Sequence, residues 1–192
     1  MEAALRCFAR SGYSGASVQE IIASTPFSKP TLYYHFQSKE GLFRTLVNSA
    51  SDECYRRMRE AAAKSEAVGE QLEEILTSLF EFLSKRKDLT RLAFSTSFAA
   101  PDEVPANTPD VSRRRRNFEC MHSVIREALR KGVLDKAFDS KELTRGIYGA
   151  LNYHLMANLL FAGTKLNRAA ARQIVKLFLV GAAAKPPESA QN

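Results

Sequence analysis

Apolar residues recur at three- and four-residue spacing along most of the chain, which is the period of an amphipathic helix. Glu2 to Ser11 places Leu5, Phe8 and Ala9 on one face, and Gly12 is expected to end that helix as a C′ glycine. Ser17-Val18-Gln19-Glu20 has capping-box spacing: the serine accepts from a free amide while the glutamate reaches back to the serine N–H. A short helix follows through Ile21, Ile22 and Ala23 and ends by Thr25, because Pro26 disfavours the helical conformation in the residue before it. Ser28 caps the next segment, with Pro30 in its first turn where a missing N–H costs little. That helix runs through Thr31, Leu32, Tyr33, Tyr34 and His35 and stops near Phe36-Gln37. Ser38 then caps a long helix with Leu42, Phe43, Leu46, Val47, Ala50 and Cys54 inward.

Beyond Gly69 the stripes lengthen. Leu72, Ile75, Leu76, Leu79, Phe80 and Leu83 form one, a shorter segment covers Leu89 to Phe98, and Pro101, Pro105 and Pro109 make residues 100–110 a loop. Phe118, Met121, Ile125 and Leu129 form another stripe, closed by Gly132. Asp139 and Glu142 open a helix to about Phe161, Gly163 closes it, and Asn167 caps a last helix to about Ala183. No segment alternates as a strand would, and no hairpin dipeptide separates β-rich runs. The pattern predicts an all-α protein of nine helical segments, three short and then longer ones. It divides into residues 1–48, residues 49–184 and a polar tail, 185–192, that holds Pro186 and Pro187.

Composition narrows the class. The chain has 192 residues, 45% hydrophobic and 26% charged, so it can bury roughly 70% of its unfolded surface without a disulfide or metal. Cys7, Cys54 and Cys120 are an odd and scattered set, which predicts a reducing, cytoplasmic setting. Met1-Glu2-Ala3-Ala4 lacks the basic flank and apolar stretch of a secretory leader. Leu155 to Gly163 is shorter than the ~20 apolar residues that cross a bilayer, so no membrane partner is expected. The formal charge of +7 favours an anionic partner without identifying it. The densest basic run, Arg113 to Arg116, has two readings, a nucleic-acid or membrane patch and a solvated helix start; the second is preferred, although cations oppose the dipole there.

Two short helices joined by a tight turn and followed by a capped third describe a helix-turn-helix, whose second helix enters the major groove. The residues suit that role: Ser28 and Thr31 are short hydroxyl donors, Lys29 is a cation, and Tyr33, Tyr34 and His35 carry amphipathic hydrogen-bonding groups. Leu32 and Phe36 read as core, so Tyr33 and His35 cannot both turn inward. Lys39, in the first turn of the next helix, is a candidate phosphate clamp together with the free amides there.

Residues 2–48 resemble the DNA-binding domain of the TetR family of transcriptional regulators. The resemblance rests on the Gly12-Tyr13 corner, the Ser17-Val18 start with Ile21 after it, and the run Thr31-Leu32-Tyr33-Tyr34-His35-Phe36-Gln37-Ser38-Lys39. It implies a homodimer of nine-helix subunits: a three-helix DNA-binding domain, a linker helix, and a helical domain for ligand binding and dimerisation. Carried over by position, Ser17 and Gln19 lie near the backbone or a base edge, and Ser28, Lys29, Pro30 and Thr31 meet the groove. Tyr33, Tyr34, His35 and Lys39 hold phosphates, with Tyr33 or Tyr34 reaching a thymine methyl. Family function is usually repression of a palindromic operator, relieved when a small molecule enters the regulatory domain. Two departures stand out. The family usually carries a basic arm and an earlier first turn before the position of Met1, and Thr25-Pro26-Phe27 replaces its usual small residue, glycine and aliphatic residue.

The resemblance also places Phe82, Phe94, Phe98, Phe118, Met121, Ile125, Tyr148, Asn152 and Leu155 on helices that line a ligand cavity, and their character suits an apolar or aromatic effector. A plain helical core would look the same. His122 and His154 are possible polar anchors. Cys120, His122 and His154 lack metal-ligand spacing, so neither metal nor cofactor is expected, and Cys120 reads as a buried structural thiol. The last two helices carry apolar residues on more than one face, a surplus that predicts pairing with a second subunit. No phosphate loop, nucleophile elbow or metal cluster points to an enzyme. The alternative reading is a helical interaction protein of the same descent that no longer binds DNA.

Overall fold

The computed structural model describes residues 1–100, 102–108 and 110–182. The expected polar tail, and with it Ala183, Pro186 and Pro187, lies outside them, as do Pro101 and Pro109. Among the described residues there are nine helices and no strand, and no helix is long and apolar enough to cross a membrane. They divide into two compact units. One comprises Met1–Arg56 with the described residues of Phe82–Asn117; the other comprises Arg57–Glu81 with the described residues from Phe118 onward.

The first unit is organised around α1 (Glu2–Gly15), α2 (Val18–Ala23), α3 (Lys29–Phe36), the first part of α4 (Lys39–Ala62) and α6 (Lys87–Phe98). Phe8 and Phe43, each fully buried, meet edge to face with centroids 4.9 Å apart, and Tyr13 adds a third ring 5.0 Å from Phe43. Leu5, Ile21, Leu32, Leu46 and Leu92 close this core, and α6 packs along α1. Gly12 has φ 67°, ψ 179°, the left-handed conformation that glycine tolerates. It bends the helix rather than ending it, and residues 13–15 form one further turn.

The loop after α6 is tied down. Ser14 Oγ donates to the Glu103 carbonyl at 3.1 Å, Arg44 donates to the Ala106 carbonyl at 2.9 Å, and the Asp110 N–H donates to Asn48 at 3.3 Å. Asp110 also caps α7 (Val111–Arg130) through the Ser112 amide at 2.7 Å. The preferred reading of the arginine run needs correction for two of its members. Arg113 and Arg116 both donate to Asp52 of α4, at 3.0 and 2.6 Å, and Arg116 also lies over the Tyr55 ring at 4.2 Å. The Arg116 hydrogen bond above all, and that of Arg113, hold the Asp52 carboxyl below its usual pKa. Arg114 and Arg115 are exposed. The carboxylates at positions 52 and 110 thus compensate for cations at an unfavourable helix end.

The second unit is built from α5 (Val68–Ser84), the later part of α7, α8 (Ser140–Leu160) and α9 (Arg168–Ala182). Leu72, Ile75, Leu76, Phe80, Met121, Ile125, Ile147 and Ala171 are fully buried. Asp139 caps α8 by accepting from the Lys141 and Glu142 amides at 2.9 and 3.0 Å, and Asn167 caps α9 through the Ala170 amide at 3.0 Å. Glu73 and Glu74 on α5 pair with Arg168 and Arg172 on α9, and Lys64 joins Glu74 at 2.8 Å.

Candidate nucleic-acid interface

Two serine caps set the geometry. Ser17 accepts from the Glu20 amide at 3.1 Å and starts α2. The expected return contact from Glu20 is not made: its carboxylate instead pairs with Arg10 and accepts from Cys7 Sγ at 3.2 Å. The α2 N-terminus is thereby held against α1. Ser28 accepts from the Thr31 amide at 3.3 Å and starts α3, which ends at Gln37 with φ 64°. Ser38 accepts from the Gly41 amide at 2.9 Å and starts α4.

Only Leu32 of α3 is fully buried. Phe36 is half-buried, while Lys29, Pro30, Tyr33, Tyr34 and His35 are exposed; Tyr34 reaches 84%. The aromatics flank one another, with Tyr34 and His35 edge to face at 5.2 Å and the Lys29 ammonium 5.9 Å from the Tyr33 ring. Ser28 Oγ and the half-buried Thr31 Oγ1 lie 2.9 Å apart, so each hydroxyl orients the other. Ser17 and Gln19 are exposed at the start of α2. Behind α3 an apolar recess of about 120 Å³ opens between Ala4, Ile21, Leu32, His35 and Leu42, with Phe27 at its edge.

Lys39 is placed differently from a free clamp. Its ammonium donates to the carbonyls of Tyr13 and Ala16, both at 2.9 Å, and sits 4.5 Å from the centre of the Tyr13 ring. Two of its three donors therefore cap the last turn of α1, leaving one. Burial first, and the Glu40 carboxylate second, raise the Tyr13 hydroxyl above its usual pKa.

The residues expected to line a ligand cavity are distributed over both units. Phe82, Phe94 and Phe98 belong to the first unit. Phe82 is buried under the Arg86 guanidinium and Phe94 is half-buried. Phe98 is 83% exposed, which corrects its assignment to a cavity wall: α6 turns its inward face through Leu89 and Leu92 instead. In the second unit Phe118 and Tyr148 stack at 6.1 Å, and the Tyr148 hydroxyl donates to the sulfur of buried Met58 at 3.8 Å. Met121, Ile125 and Leu155 are buried and Asn152 is exposed.

His122 is buried with both ring nitrogens engaged, Nε2 2.9 Å from Ser140 Oγ and Nδ1 3.3 Å from Glu119. That is the order of a hydrolase relay. However, the Lys141 and Glu142 amides that could hold an oxyanion are bound to Asp139, whose carboxylate opposes negative charge there. His154 bonds back to the Ala150 carbonyl at 2.7 Å. Burial raises the Cys120 thiol pKa, as in an inert structural cysteine. Among the described residues no group of three or more His, Cys, Asp and Glu could hold a metal.

Two capped helices, the second with one face exposed along its length, define a helix-turn-helix DNA-binding domain. Residues 1–46 match the family described as bacterial regulatory proteins, tetR family. The HTH-type transcriptional regulator YdgC of Bacillus subtilis is 25% identical over 186 residues, covering 94% of this chain and 89% of YdgC. The repressor AcnR of Corynebacterium glutamicum is 34% identical over 82 residues, 42% of this chain and 38% of its own length. The fold matches the crystal structure of the regulator FadR from Bacillus subtilis in complex with stearoyl-CoA. Its TM-score is 0.79 at 16% identity, with 94% of this chain and 96% of that one covered. Residues 1–46 thus carry the DNA-binding domain of that family, and over most of its length the chain is similar to an HTH-type transcriptional regulator.

Proposed function

We propose that this chain is a homodimeric, cytoplasmic repressor that reads a palindromic operator and is released by a small apolar or aromatic effector. The observation that carries the reading is α3, a helix that buries Leu32 and leaves Lys29, Pro30, Tyr33, Tyr34 and His35 outward. Ser28, Lys29, Pro30 and Thr31 meet base edges. Tyr33, Tyr34 and His35 hold the flanking backbone with Ser17 and Gln19, since phosphate contacts fix register while base contacts specify. Lys39 acts here chiefly as the pin of α1 and offers its remaining donor to a phosphate.

Dimerisation is supported by apolar residues left exposed on the last two helices: Tyr153, Met156 and Leu160 on α8, and Leu177 and Val180 on α9. The last two are 78% and 74% exposed, which a monomer leaves without cover. Pairing would hold two recognition helices about 34 Å apart, one turn of duplex. An apolar effector is supported by the contact of Phe118 with Tyr148 and of Tyr148 with Met58 in the second unit. Ligand acts as a switch only through differential affinity for the DNA-competent and released states. α4 is the proposed linker between effector and recognition helix.

Selection of bound sequences from a random DNA pool tests the reading. The expected result is an inverted repeat whose half-sites are centred about 10 base pairs, or a multiple, apart. Absence of any enriched sequence contradicts it and favours the non-DNA interaction protein.

A further inference from the structure

We propose that Phe27 is a base-reading residue: an apolar probe for the C5 methyl group of a thymine at the edge of each half-site. Phe27 immediately precedes the cap Ser28, the position from which an apolar side chain normally packs back on the residue four into the helix. That residue is Leu32, and both line the recess behind α3. Leu32 is 7% exposed, but Phe27 is 61% exposed. Most of the ring is therefore left outward, at the start of a recognition helix whose first residues are proposed to meet base edges.

The turn holds it there. Pro26 fixes its own φ, the Phe27 N–H donates to Thr25 Oγ1 at 3.3 Å, and Ser28 begins the helix. A phenyl ring has no donor or acceptor. Against guanine or cytosine it would desolvate polar edges without replacing their hydrogen bonds. The one apolar feature of the major groove is the thymine methyl, and phenylalanine is among the side chains that meet it. The assignment rests on the DNA-binding reading above.

The test uses the full chain and the duplex obtained by selection, with each half-site thymine replaced in turn by deoxyuridine, which lacks only the methyl group. The wild-type protein is expected to lose about fivefold or more in affinity at one position per half-site. Phe27→Ala is expected to bind the thymine and deoxyuridine duplexes equally at that position while binding non-specific DNA like the wild type. Phe27→Leu keeps an aliphatic group against Leu32 and, with its melting temperature, separates the effect from misfolding; it should recover only part of the methyl dependence. If Phe27→Ala retains the full methyl dependence, or if the ring matters for affinity with no methyl dependence because it swings into the recess, the inference is overturned while DNA binding stands. If the wild type binds no DNA, the inference and the reading beneath it fall together.

Discussion

The two compact units place their apolar residues by different rules. In the first, each short helix turns one apolar face inward, and the outward face of α3 is polar or amphipathic. In the second, α8 and α9 satisfy their own core through Leu143, Ile147, Leu151, Ile174 and Val175, yet still expose Leu160, Leu177 and Val180. α3 presents a face suited to a charged, hydrated ligand, although Phe27 and Phe98 of the same unit are also exposed; α8 and α9 present a face that water does not suit. On the proposed reading, the contrast separates a surface for DNA from a surface for a second subunit, although both are helical.

The largest expected effect breaks the first unit's core. Phe43→Ala removes a fully buried ring that meets Phe8 and should cost about 3–5 kcal/mol. DNA binding should be lost, with loss of amide-exchange protection concentrated in α1 to α3. Equal loss across the second unit would show that the units do not unfold separately. Next is the apolar face. Leu177→Asp should convert dimer to monomer in sedimentation and weaken operator binding on the order of 100-fold, because two linked half-sites bind far more tightly than one. A variant that stays dimeric places the interface elsewhere.

Lys39→Ala sharpens the comparison within the first unit. It leaves the carbonyls of Tyr13 and Ala16 without their donor and should lower stability by about 1–3 kcal/mol. If the remaining donor meets a phosphate, binding should weaken evenly on all sequences, with the salt slope falling by about 1. Thr31→Ala should instead change base preference. An unchanged melting temperature for Lys39→Ala contradicts the pin.

Local features of this fold were legible in the chain. The caps at Ser17, Ser28, Ser38, Asp139 and Asn167 depend on residues two or three positions away, and the inward stripes depend on period alone. Contacts that join distant segments were not. Nothing near Lys39 in sequence points to Tyr13, and nothing near Arg113 or Arg116 points to Asp52. Glu20 has capping-box spacing but serves Arg10 and Cys7, because a nearby cation binds a carboxylate more strongly than a neutral amide does. Phe98 has the period of a core residue, but it lies at the last position of α6 and is exposed. Period identifies a face without saying what covers it.

The smallest expected effect lies in the second unit. Arg172 lowers the pKa of Glu73, and Arg168 with Lys64 lowers that of Glu74 to about 2 from a usual 4.5. A depressed carboxylate stabilises the fold above its unfolded pKa and loses that contribution as pH falls through the folded one. The tie between α5 and α9 should therefore be intact at neutral pH and lost between about pH 4.5 and 2. With the arginines half-exposed or more, the contribution is about 1 kcal/mol or less. Glu74→Gln should melt slightly below the wild type at pH 7, and the gap should close near pH 2.

The central claim is that α3 reads the major groove as one of a pair. Footprinting of the selected operator tests it most directly, with methylation interference at guanine N7 reporting the major groove. The account predicts two protected major-groove patches, symmetric about the dyad, on one face of the duplex and about one helical turn or a multiple apart. A single patch, or protection confined to the minor groove, would contradict it.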